Sequence, residues 1–233
     1  MTRSNLSMSA APAALFLLAL GAGGCASMDS MSAQADTPTA AVEPAQVAEG
    51  DAAPAAETAA APTQARLEAH IARWPEAAKK AAMAMSAKYG APQEMTASQI
   101  AWRNNGPWLW TRIDNYETPH EFPAHHTDVM EQAINYKLRP DMFDEMAAYD
   151  GSVYVRRTEG VMSARCDVEG ANFLALNLAH DVATRAKTVP AARTYYARAI
   201  AAFKANGTMD PYMQGLRFRA SGSTADADMP LGS

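Results

Sequence analysis

The chain has 233 residues, 48% hydrophobic and 19% charged, and its 20 Lys+Arg against 25 Asp+Glu give a formal net charge of -5. That length holds one domain of ordinary size or two small ones, and the acidic balance excludes a whole-chain basic footprint for nucleic acid. No second long apolar run follows the first, which excludes a multi-pass membrane protein.

The chain opens MTRSNLSMSAAPAALFLLALGAGGCAS. Arg3 supplies a positive start, and residues 13–20 form an apolar stretch. At about eight residues it suits the core of a signal peptide and is too short for a bilayer span, which takes about 20. The small residues Gly21, Ala22, Gly23 and Gly24 lead directly into Cys25. This resembles the lipobox of bacterial lipoproteins, with Ala22 standing where that family usually has leucine. The resemblance covers about the first 27 residues. It implies removal of residues 1–24 and acylation of Cys25 with palmitate-type chains, which makes the lipid bilayer the first expected partner. Ala26 and Ser27 follow, with no aspartate beside the cysteine. That resembles the pattern sorted to the outer membrane of Gram-negative bacteria, so the implied location is the cell envelope, lipid-anchored and facing the periplasm. An ordinary secretory signal is the alternative.

Residues 25–64 then read as a lipidated cysteine and a disordered tether of Ala, Pro, Thr and acidic residues. Asp29, Asp36, Glu43, Glu49, Asp51 and Glu57 charge it negatively, and self-repulsion extends it. Setting aside Arg3, those six acids and the two of the tail leaves 19 basic and 17 acidic side chains between residues 65 and 220. The domain is therefore near neutral. Residues 221–233, SGSTADADMPLGS, read as a disordered tail.

Within the domain, residues 65–89 suggest a helix with Pro75 inside it and Gly90 as its stop. Residues 108–114 suggest a strand opened by an Asn105-Gly106-Pro107 turn, with Trp108, Trp110, Arg112 and Asp114 on one face. Asp128 followed by Glu131 is a capping-box pattern and predicts a helix over 129–137. Pro140 opens a further helix that Gly151 closes. Two β-rich runs flanking Glu159-Gly160 predict a hairpin over 152–166, with Val153, Val155, Met162, Ala164 and Cys166 on one face. Asp167 is expected to cap a helix over 168–187, and a last helix runs from about Pro190 to Gly207. The expected fold is α+β, a small antiparallel sheet of about three strands packed with several helices.

Three groups of residues carry possible chemistry. TPHEFPAHHTD, residues 118–128, reads as a Pro-stiffened loop holding His120, His125, His126 and Asp128, with Glu131 nearby. Imidazoles and carboxylates suit zinc or a similar divalent ion, but no established metal motif is present, and Asp128 has a competing role as helix cap. General acid–base chemistry and plain loop histidines are the other readings. Trp108, Trp110 and Arg112 could form a stacking platform for a cell-wall glycan, or serve as core. Cys166 precedes a helix start, which favours a thiolate, yet shares the apolar face of the hairpin, which favours a buried thiol. His180, the obvious thiol partner, is about 14 residues on, roughly 20 Å along a helix, and is expected in the core.

Beyond its signal peptide the chain has the look of a bacterial envelope domain. The expected function is a periplasmic binding or structural module without a cofactor, its partner a cell-wall glycan or an envelope protein. The alternative is a metal-dependent hydrolase built on the cluster in residues 120–131, with zinc or a similar ion.

Overall fold

The computed structural model describes residues 64–232; the expected signal peptide, Cys25 and all but the last residue of the expected tether lie outside them. Two helices come first, α1 (Gln64–Ile71) and α2 (Glu76–Tyr89), followed by β1 (Glu94–Met95), β2 (Gln99–Asn105), β3 (Trp108–His120) and β4 (His126–Asn135). A 3-10 turn (Pro140–Met142), α3 (Phe143–Tyr149), the strands β5 (Val153–Arg156) and β6 (Val161–Cys166), the helices α4 (Glu169–Ala183) and α5 (Val189–Asn206), and a second 3-10 turn (Pro211–Met213) complete the order. The six strands form one antiparallel sheet in the order β1-β2-β3-β4-β6-β5. The α+β class holds, and the sheet has six strands where about three were expected. No helix among the described residues is long and apolar enough to cross a membrane.

The largest departure from expectation is β4. Asp128 and Glu131 carry a capping-box pattern, yet residues 126–135 form a strand, because β3 and β6 pair with it on both edges and satisfy its backbone. Met130, Gln132 and Ile134 are buried toward the helices, while Ala133 is buried with Trp110 and Val161 on the opposite face. A strand covered on both faces loses the polar alternation that would announce it. The consequence for the site is direct: Asp128 caps no helix.

Smaller corrections have equally local causes. The single helix expected over 65–89 is two, because Pro75 has no N–H to donate and disfavours helical backbone at Trp74. Trp108 and Trp110 end on opposite faces. Asn104 (φ 50) and Gly106 (φ 64) are both left-handed at the β2–β3 turn and break the alternation beside it. The β5–β6 turn has four residues, not two, so Val153 pairs with Ala164 and Val155 with Met162. That is a shift of two, which preserves the predicted faces. Asp167 caps nothing; α4 starts at Glu169 after Val168, without a side-chain cap. Thr188 caps α5, and Gly207 (φ 74) ends it as expected.

All five helices lie on one side of the sheet. α1 and α2 cover its β2–β4 part through Leu67, Trp74, Ala82, Trp102 and Ile113, and α3, α4 and α5 cover its β4–β6 part. The other side carries a grid of charged side chains: Arg112 and Arg156 lie over the Trp110 ring at 4.6 and 5.1 Å, and Arg165 pairs with Asp114 at 2.8 Å. Residues 221–232 contain no helix or strand, but they are not without contacts. Asp226 N–H donates to Thr158 O at 3.3 Å, and Arg157 pairs with Asp226 and Asp228 across the β5–β6 turn.

Candidate metal centre

The site follows from strand pairing. β3 and β4 run antiparallel with His120 opposite His126 and Thr118 opposite Asp128, joined by a five-residue loop, residues 121–125. A directly opposed pair shares a face, and so do residues two apart on a strand. His120, His126 and Asp128 are therefore gathered at one end of the helix-covered side, beside the residues that end α3 and begin β5.

The geometry suits a divalent ion. One ligand atom from each of the three residues can be chosen so that all lie within 4.8 Å of one another. His120 Nδ1 stands 3.4 Å from Asp128 Oδ2, and His126 Nε2 stands 3.2 Å from Oδ1. Donor atoms on a tetrahedral zinc, bound at about 2.0–2.1 Å, stand roughly 3.3 Å apart. The far nitrogen of each ring faces an oxygen: His120 Nε2 is 3.7 Å from Asp150 Oδ1, and His126 Nδ1 is 2.9 Å from Ala124 O. That is the outer-shell pattern which orients metal-binding imidazoles and fixes their tautomers. Ser152 Oγ donates to Asp128 Oδ2 at 2.5 Å, and Ser152 N–H donates to Asp150 Oδ1 at 2.9 Å. Asp128 is 1% exposed, and its Oδ1 is a buried acceptor without an aligned hydrogen-bond donor.

The proton on His126 is what an ion would have to displace. Burial pushes the Asp150 carboxyl up, against the Ser152 N–H and the His120 ring. Burial also works against a charged His126, but Asp128, the Cys166 sulfur and Ala124 O outweigh it and hold the imidazolium up to about 11. Without an ion, His126 thus keeps its proton at neutral pH. To become a ligand, His126 gives up that proton.

The other residues singled out from the sequence go elsewhere. The His125 side chain is 70% exposed and pairs with Glu121 at 2.9 Å in the loop. Glu131 is on the opposite face of β4, bound to Ser163 Oγ at 2.7 Å and Arg156 at 3.2 Å. The stacking platform is not formed by the indoles. Trp108 is 1% exposed, stacked on Phe173 with its indole N–H on Glu169, and Trp110 is 7% exposed beneath Arg112 and Arg156. His180 is half-buried, its Nδ1 3.0 Å from Tyr136 Oη and its ring stacked on Phe218. Asp150 and Ser152 were not foreseen, since Asp150-Gly151-Ser152 reads only as a helix end; their one sequence signal is a polar pair ahead of a strand.

Cys166 is buried, as its hairpin face suggested, and burial pushes its thiol up. Its neighbour is His126 rather than His180, and both line a pocket with Pro123 and Tyr196. Alkylation of Cys166 in the folded chain, followed by peptide mapping so that Cys25 is not counted, should run roughly 100-fold or more slower than in denaturant. Equal rates would show that the thiol is open to solvent.

No protein-family model, curated protein or solved structure matches this chain. Functional meaning rests on the side chains themselves.

Proposed function

We propose that the chain is a lipid-anchored envelope protein whose α+β domain binds a divalent transition metal, zinc foremost, through His120 Nδ1, His126 Nε2 and Asp128. The observation that carries this reading is the combination at one part-buried point. Three ligand atoms gather there, each imidazole has an oxygen behind it, and the Asp128 carboxylate that joins them is almost fully enclosed. Two imidazoles and one carboxylate suit zinc, and three protein ligands leave a fourth position open to water or a ligand. The acylated Cys25 and the acidic tether would hold this centre near the membrane.

Binding is favoured over hydrolysis as the primary role. Glu131 is on the other face of the sheet, and Asp150 stands behind His120, so neither carboxylate is placed to activate a water. Glycan recognition lacks an aromatic anchor in Trp108 and Trp110.

Equilibrium dialysis of the full chain in detergent against zinc tests this reading. One equivalent should be retained by the native chain, by His125→Ala and by Glu131→Gln, and lost in His126→Ala. Retention by His126→Ala, or loss in His125→Ala, would overturn it.

A further inference from the structure

The pocket that His126 and Cys166 line is built mostly from apolar side chains: Pro123 and Ala124 of the β3–β4 loop, Val168 and Ala171 at the start of α4, and Ile200 and Phe203 of α5. Its interior is about 80 Å³, room for a few waters or a short hydrocarbon group. Asp167 and Lys204, one charge of each sign, also line it. Of the three ligands His126 alone lines this pocket, so an ion held by all three would stand at its edge; a molecule bound at both places has two parts, a head on the ion and a tail in the pocket.

Charge sets the head. Two neutral imidazoles and one carboxylate on a dication leave a net charge of about +1 at the centre, which a monoanionic donor neutralises. We infer that the centre and its pocket together bind short, unbranched acyl compounds, the anionic carboxylate-type head on the metal and the aliphatic chain between α4 and α5. This rests on the metal centre proposed above.

The probe is the series of straight-chain alkyl hydroxamates from acetohydroxamate upward, titrated calorimetrically into the zinc-loaded full chain after zinc retention has been measured. Affinity should rise roughly fourfold per methylene until the pocket is full, and then level off. Ala171→Leu, which fills the pocket from α4, should keep zinc and lose the gain with chain length. Phe203→Ala, which widens the pocket from α5, should carry the gain to longer chains. Equal affinity along the series, or an unchanged gain in Ala171→Leu and Phe203→Ala alike, would overturn the acyl pocket while leaving the metal centre standing. Failure to retain zinc would remove both.

Discussion

Replacing Glu169 with alanine should lower the melting temperature of the domain by roughly 10 °C, the effect of about 3–5 kcal/mol in a domain of this size. The Glu169 carboxylate, 11% exposed, joins three elements to the first turn of α4. Its Oε2 accepts from Lys88 Nζ of α2 at 2.5 Å, and its Oε1 accepts from Tyr89 Oη at 2.6 Å, Trp108 Nε1 of β3 at 2.7 Å and Gln132 Nε2 of β4 at 3.4 Å. Alanine would leave the buried Trp108 indole N–H without its acceptor, and unmade hydrogen bonds in the interior cost more than made ones contribute. The helix N-terminus adds to the preference for an anion at this place.

The same carboxylate gives the domain an acid limb. Burial raises the Glu169 pKa, but Lys88, Tyr89 and Trp108 outweigh it, so the folded value lies below the ordinary 4.5. A group with a depressed folded pKa stabilises the fold fully above its unfolded value and loses that contribution as pH falls through the folded one. Glu169→Gln should therefore be less stable than the native chain at pH 7 and approach it below about pH 4. Thermal melts at the two pH values read both effects. A shift under about 2 °C for Glu169→Ala would show that water replaces the network at little cost.

The second large effect is expected at the centre itself. Asp128→Asn keeps the size of the side chain and removes its charge; it should weaken zinc binding by at least roughly 100-fold, since a ligand is lost outright. Asp150→Asn removes no ligand; it alters what stands behind His120 and the acceptor of the Ser152 N–H, and should weaken binding by roughly 10–100-fold. Competition with a chromophoric chelator reads both. Equal affinity in Asp150→Asn and the native chain would mean that the His120 ring is held by packing alone.

The elements whose sequence carries a clean period are the legible ones. Val153, Val155, Met162, Ala164 and Cys166 alternate with polar residues in the β5–β6 hairpin although β6 is buried on both faces, and α4 and α5 carry broad apolar stripes, so their type and their inward side chains follow from period alone. β4 was hidden because both of its faces are buried and because Asp128 and Glu131 imitate a helix start. That one element concealed the site. Once residues 118–128 are taken as a loop leading into a helix, the four polar side chains have no common face. As two paired strands, the same residues bring His120, His126 and Asp128 together and turn His125 away. Asp150 and Glu169 were beyond reach for a different reason. Each acts through partners tens of residues distant in sequence, and only the packed fold brings those partners near.

The most direct measurement is an anomalous-difference map at the zinc edge from crystals of the zinc-loaded chain. A single strong peak about 2.0–2.2 Å from His120 Nδ1, His126 Nε2 and a carboxylate oxygen of Asp128 is the predicted result. A peak on the Glu121–His125 pair in the loop, or none at the β3–β4 end of the sheet, would contradict it.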